Sequence, residues 1–238
     1  MQQFFVNQRL VSDETLCLPI EVARQCRLVL RYADGQIVRL VGIDGTYALA
    51  SLSFKEQLVF AHVQEVMLQD LNHQIQITLI QGLIRKERWE YFLQKATEVG
   101  VYRIVPLILE RNVVKWDRED STTKMTRYRK IIQEAAEQSL RTQLPILEEP
   151  ITLKELENYR SDLNFIAYEL ESSTALKSAL DPCSSVSIVI GSEGGISPFE
   201  HQKCRELGFK SVHLGPRILR TETAGLVACT IIQTVLEP

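Results

Sequence analysis

Two glycine-containing segments hold the residues whose types and spacing could do chemistry. The first, Gly191-Ser192-Glu193-Gly194-Gly195, follows the apolar run Val186 to Ile190 and sets one carboxylate among three glycines. Glycines remove side chains from a turn and let a ligand approach the main chain closely. A carboxylate in such a turn is more exposed than helix capping requires, which makes Glu193 a candidate functional group. The second segment, Leu214-Gly215-Pro216-Arg217-Ile218-Leu219-Arg220-Thr221-Glu222-Thr223-Ala224, adds another glycine turn, two guanidinium groups and a Thr-Glu-Thr leading into an apolar run. Thr221 could equally be an N-cap, Glu222 a first-turn charge, and Arg217 and Arg220 surface cations. Neither segment has G-x-G-x-x-G spacing or the Lys-Ser/Thr of a P-loop, so a dinucleotide or triphosphate cradle is not supported. Ser197-Pro198-Phe199-Glu200 reads as a capping box that starts a helix and does no chemistry.

The elements around these turns change character along the chain. Up to about residue 70, apolar runs at Arg27 to Tyr32, Gln36 to Val41, Tyr47 to Phe54 and Val59 to Leu68 are broken at Asp34-Gly35 and Asp44-Gly45. Asp-Gly between apolar runs predicts hairpins, and the region reads as a small β-barrel. From His73 onward strands alternate with amphipathic helices. Strands are expected at His73 to Gln81, Val101 to Ile108, Asn164 to Tyr168, Val186 to Gly191 and Ser211 to Gly215. Lys86 to Val99 reads as a helix with Trp89, Phe92, Leu93 and Ala96 on one face, capped at its C-terminus by Gly100. A longer helix follows, with Tyr128, Ile131, Ile132, Ala135 and Ala136 at helical spacing, and further helices fall near 173–180, 198–207 and 222–236. That alternation implies an α/β unit with a mostly parallel sheet covered on both faces, where ligands bind beyond the strand ends. Residues 223–236 carry no charge, which points to burial in a core or a subunit interface.

Composition frames the reading without deciding it. The 238 residues are 45% hydrophobic and 24% charged, ordinary for a folded chain and against disorder or a fibrous repeat. No run reaches the length of a membrane span, and the start lacks a secretory pattern, so a cytoplasmic location is expected. Five cysteines far apart, with no C-x-x-C pair, read as reduced packing residues, with no metal site expected. The net charge is −3, yet residues 81–141 hold 13 Lys/Arg against 9 Asp/Glu. A local basic region of this kind can meet phosphates on an acidic protein, although a solvated helix face explains it as well.

Taken together, the two glycine segments closely resemble the paired signature of the bacterial 16S ribosomal RNA uridine-N3 methyltransferases of the SPOUT superfamily. Supporting matches are Gln94-Lys95-Ala96-Thr97-Glu98-Val99-Gly100-Val101, Glu110-Arg111 and Glu134-Ala135-Ala136-Glu137-Gln138-Ser139, with Val29-Leu30-Arg31 and Asp44-Gly45 in the N-terminal region. The resemblance implies a PUA-like β-barrel over 1–70 that binds RNA, and a trefoil-knot SPOUT methyltransferase domain over 73–238. It also implies S-adenosyl-L-methionine as cofactor, a homodimer, and 16S ribosomal RNA or the small ribosomal subunit as partner. By position, Ile190, Gly191, Glu193, Gly194, Gly195, Leu214, Gly215, Ile218, Leu219, Arg220, Thr221 and Ala224 would surround the cofactor.

Uridine N3 carries a proton at neutral pH, so the site must remove it or stabilise the resulting anion. Arg220 is the candidate for charge stabilisation, and Glu193 for orienting the target or accepting the proton. Candidate phosphate contacts are Arg85, Lys86 and Arg88, then Lys124, Arg127, Arg129 and Lys130, with Arg27 and Arg31 in the N-terminal region. The chain departs from the family pattern in four places. Ser192 stands where proline is usual, Leu140 where glycine is usual and Cys26 where histidine is frequent, and no arginine precedes Phe4-Phe5. A SPOUT enzyme acting on another RNA and a non-catalytic RNA-binding relative are the alternatives.

Overall fold

The computed structural model describes residues 1–68, 74–116 and 121–237, and the chain divides into two compact units. The first comprises 1–71 with 136–143, the second 72–135 with 144–238.

The first unit is built on β1 (Gln3–Phe5), β2 (Thr15–Cys17), α1 (Ile20–Arg24), β3 (Ile37–Val41), β4 (Thr46–Lys55) and β5 (Leu58–Leu68). The strands form one sheet in the order β1-β3-β4-β5-β2. Strand β1 runs parallel to β3 and the other pairs are antiparallel. The Asp44-Gly45 hairpin forms as expected between β3 and β4: Gly45 takes φ +79°, and Asp44 Oδ1 accepts from the Thr46 backbone N–H at 3.2 Å. Alternation along β4 sends Ala48, Ala50 and Leu52 into a core with Phe4, Leu40 and Val63.

Two expectations fail in this unit. The strand expected at Arg27 to Tyr32 is absent, because Gln25–Val29 continues α1 as a π-helical turn that buries Cys26 and exposes Leu28 and Val29. With no strand before it, Asp34-Gly35 turns the chain into β3 instead of closing a hairpin, and Asp34 Oδ1 accepts from the Phe54 N–H at 2.7 Å. The expected closure into a barrel is also not found, since the sheet ends at β1 on one side and β2 on the other among the described residues.

The second unit contains β6 (Gln76–Gly82), α2 (Lys86–Val99), β7 (Arg103–Leu107), α3 (Ser121–Gln138), β8 (Ile146–Leu147), β9 (Leu163–Ala167), α4 (Leu176–Ala179), β10 (Ser185–Ile190), α5 (Pro198–Glu206), β11 (Lys210–Val212) and α6 (Thr221–Leu236), with a 3₁₀ helix at Leu153–Tyr159. Its six strands pair parallel in the order β11-β9-β10-β6-β7-β8. His73, expected to open β6, lies outside the described residues. Both faces of the sheet are buried, as parallel pairing with crossover helices requires. Ile77, Leu79 and Ile188 pack with Trp89, Phe92, Met125 and Ile232 on one side. Ile80, Val105, Ile166 and Val189 pack with Leu156, Cys204 and Phe209 on the other.

Helix α2 ends where expected. Gly100 adopts φ +104°, and the Gln233 side-chain amide donates to the Val99 carbonyl at 2.7 Å. The apolar α6 buries Gly225, Ala228, Cys229 and Ile232 against β6 and α2 and leaves Val235 exposed. No helix among the described residues is long and apolar enough to cross a membrane.

Candidate active site

The two glycine segments lie together at the C-terminal edge of the sheet, where β9, β10 and β11 end. They line one cavity of about 730 Å³. Strand β10 delivers Ile190 and Gly191 to its wall, and the chain beyond β11 supplies Leu214 to Thr221, with Ala224 from α6. The sheet order also reverses here, with β6 and β7 to one side of β10 and β9 and β11 to the other, a place where loops part and leave a crevice. Of the residues expected around a cofactor, Ile190, Gly191, Glu193, Gly195, Leu214, Gly215, Ile218, Leu219, Arg220, Thr221 and Ala224 all line this cavity. Gly194 does not. A Cβ on Gly194 would stand 2.6 Å from the Arg111 carbonyl oxygen, so its glycine serves close packing of the turn against the chain after β7.

A polar link fixes the two segments to each other. The Thr221 hydroxyl donates to the Gly191 carbonyl and accepts from the Gln81 amide at 2.6 Å. Gln81 is fully buried at the end of β6. Its part is not visible in sequence, although a glutamine directly after Leu79-Ile80 and next to the last residue of the strand is a signal. Ser197 caps α5 as expected, and Glu200 returns the bond to the Ser197 N–H. The same Glu200 carboxylate also accepts from the Glu110 N–H at 2.6 Å, so the capping box anchors the Glu110-Arg111 turn beside Gly194.

The charged groups are arranged asymmetrically. Arg88, expected as a phosphate contact, instead reaches into the cavity wall from α2. Its Nη1 donates to Glu193 Oε1 at 3.0 Å, and its Nε lies 3.9 Å from Glu222 Oε1. One guanidinium thus holds two largely buried carboxylates, each of which keeps a second oxygen without a partner among the described residues. Arg220, at the N-cap of α6, is exposed and has no carboxylate partner among the described residues.

On the β9 side the wall is made by residues that the sequence did not single out. Tyr168 stacks on His201 at 3.9 Å between ring centroids. A Cβ on Gly195 would stand 3.0 Å from the Glu169 carboxylate, closer than ordinary packing allows, so the glycine makes room for Glu169. Glu171 accepts from the Ser173 hydroxyl and from backbone N–H groups, which hold its pKa down at about 2. Burial, with Arg205 nearby, lowers the pKa of His201.

The remaining basic candidates are scattered. Arg27 donates to the Leu58 carbonyl at 2.9 Å and lies over the Phe54 ring, so it braces the first unit. Arg31 is exposed in a left-handed conformation, φ +52°. Arg85 and Lys86 are exposed at the start of α2. On α3, Arg127 pairs with Glu90 at 2.8 Å, Lys124 lies over the Trp116 ring, and Arg129 and Lys130 face solvent.

Comparison with known proteins agrees with this geometry. The model of the RNA methyltransferase domain family matches residues 71–233. Ribosomal RNA small subunit methyltransferase E of Bacillus subtilis is 31% identical, over 98% of this chain and 96% of its own. The solved ribosomal RNA small subunit methyltransferase E from Neisseria gonorrhoeae, bound to S-adenosyl methionine, superposes with a TM-score of 0.89 at 30% identity, covering 98% of this chain and 97% of that one. A Legionella pneumophila protein solved with the bound cofactor SAM gives 0.89 at 32% identity, covering 98% and 96%. Two glycine turns joined through Thr221 at the edge of a parallel sheet, a family match over nearly all of the second unit and full-length relatives of one kind place this chain in the RNA methyltransferase domain family.

Proposed function

We propose that the chain is an S-adenosyl-L-methionine-dependent methyltransferase that methylates N3 of a uridine in 16S ribosomal RNA, acting as a cytoplasmic homodimer on the RNA or the small subunit. The observation that carries this is the cavity between the Gly191 and Gly215 turns, read with full-length relatives that bear the small-subunit methyltransferase name.

The residues present fit the cofactor. A Cβ on Gly215 would meet nothing within 4 Å, so the main chain there is open to a ligand, whereas one on Gly191 would stand 2.9 Å from the Ile196 side chain and that glycine serves the close packing of its turn. Ile190, Leu214, Ile218, Leu219 and Ala224 supply apolar contact, and Gly191, Gly195 and Thr221 the polar frame. When bound, the cofactor supplies an electrophilic methyl group on a sulfonium, and alignment is the main requirement for an in-line displacement.

The protein's own task is to free the lone pair on N3. Arg220, unpaired and at the cavity edge, favours the deprotonated base by placing a cation beside the negative charge. Glu193, held by Arg88, is fixed in orientation and can accept a hydrogen bond or the N3 proton through its second oxygen. The knotted SPOUT arrangement of the second unit and a PUA-like, RNA-binding first unit complete the reading. The charge-free stretch 223–236 of α6, with Val235 left exposed, supports pairing with a second copy.

Steady-state methylation of small subunits tests the role of Arg220. Arg220→Ala lowers kcat by about a hundredfold and leaves calorimetric cofactor affinity within a few fold. Full methylation with weakened cofactor binding would remove Arg220 from catalysis.

A further inference from the structure

Helix α2 borders a second cavity. Arg88 points to the first, and no residue lining one cavity lines the other. The second, of about 350 Å³, opens between α2, the chain at Val114 to Trp116, and α3. That size is at the lower end of small-molecule sites, which run from about 300 to 1,000 Å³. Its walls carry three aromatic rings, Trp89, Trp116 and Tyr128. Trp116 is half-buried, and the Lys124 ammonium lies 5.4 Å from its ring centroid. Lys86, Lys115 and Arg127 also border the opening.

Two polar atoms here are unexplained by the fold. Trp89 is 1% exposed, and its Nε1 has no hydrogen-bond partner among the described residues. Glu90 accepts from Arg127 with Oε2, while its Oε1 is buried and unpartnered. A buried donor and a buried acceptor left without partners are costly unless something supplies them. Asp117, Arg118, Glu119 and Asp120 follow Trp116 and lie outside the described residues.

We infer that this cavity takes one unpaired nucleobase of the RNA strand, next to the nucleotide that enters the glycine cavity. A planar base offers a face for Trp116 and an edge with both donor and acceptor for Glu90 and Trp89, and its phosphates lie within reach of the surrounding cations. On α2, Arg88 of the first cavity lies two residues from Lys86 and one from Trp89 of the second, an axial rise of about 1.5–3 Å, so the two cavities flank the same turn of helix, within reach of neighbouring nucleotides of one strand. The assignment rests on the chain acting on RNA, as proposed above.

The test uses the full-length protein saturated with S-adenosyl-L-methionine. Titration with single-stranded dodecauridylate quenches tryptophan emission in the wild type, and in Trp116→Leu the remaining Trp89 emission is quenched only at roughly tenfold higher oligonucleotide. In small-subunit methylation, Trp116→Leu raises KM for the subunit roughly tenfold, as expected for one lost stack. Its kcat stays within about twofold, its cofactor affinity and melting temperature are unchanged, and Trp116→Phe restores most of the KM. A quenching midpoint and KM that are unchanged in Trp116→Leu but raised in Lys124→Gln with Lys115→Gln would show phosphate contact alone and overturn the base site. Quenching without any methylation of ribosomal RNA would instead overturn the substrate reading and leave the base site standing.

Discussion

Thr221 carries more of the site than its position suggests. Its hydroxyl joins the Gly191 turn to the start of α6 and satisfies the Gln81 amide. Thr221→Val therefore leaves a buried amide N–H and a carbonyl short of partners and destabilises the protein by about 1–3 kcal/mol. Denaturant unfolding measures the loss, and calorimetry should show weaker cofactor binding alongside it; unchanged stability would mean the hydroxyl is dispensable. Leu140 offers the opposite case. It stands where the family pattern has glycine, and it adopts φ +59°, a conformation that costs an L-residue roughly 1–2 kcal/mol. Because its side chain is more than a third exposed, Leu140→Gly should be neutral or stabilising by up to about 1 kcal/mol in thermal unfolding, where an ordinary Leu→Gly change destabilises. A clear loss would show that the leucine side chain packs more than it strains. The glycine turns were legible in sequence because glycine is itself a backbone statement. The pairing of Arg88 with Glu193 was not, since the two are 105 residues apart and nothing local marks Arg88 as different from Arg85.

Elements with strong periodicity or caps came through with small shifts at their ends. Helix α2, α5 with its Ser197 cap, and α6 all form where pattern and capping place them. Arg27 to Tyr32 failed for a physical reason. Cys26, Leu28 and Leu30 alternate like strand residues, but only Cys26 is buried, in a helical turn that fills the core of the first unit. Strands β1 and β2, three residues each, are too short to show a period and are set by their partners. Helix α5 carries its own test. Stacked on Tyr168 and partly buried, His201 has a pKa below its unfolded value, so the unfolded chain binds the extra proton first. The stability this confers is complete above about pH 6.5 and falls as pH drops toward the folded pKa. Glu171, with its folded pKa near 2, stays charged in the folded state throughout that window. Melting temperatures between pH 7 and pH 5 should fall more steeply for the wild type than for His201→Gln; parallel curves would show that His201 contributes nothing to the slope.

At the scale of the molecule, alternation of strand and helix announced the parallel sheet of the second unit, and the site sits where such sheets place ligands. The small sheet of the first unit was also legible, but not its open edges, because closure depends on whether the outermost strands meet and no local pattern encodes that. Charge along the chain pointed to α2 and α3, and the structure divides those cations between ion pairs, an aromatic cavity and open solvent. The account as a whole stands on methyl transfer to one uridine of the small subunit. Its most direct test incubates the purified protein with isotopically labelled S-adenosyl-L-methionine and small subunits from cells lacking the enzyme, then maps the label by mass spectrometry. The account predicts one labelled nucleoside, N3-methyluridine, in 16S ribosomal RNA. Label confined to transfer RNA added in parallel, label on another atom of the base, or no label at all would contradict it.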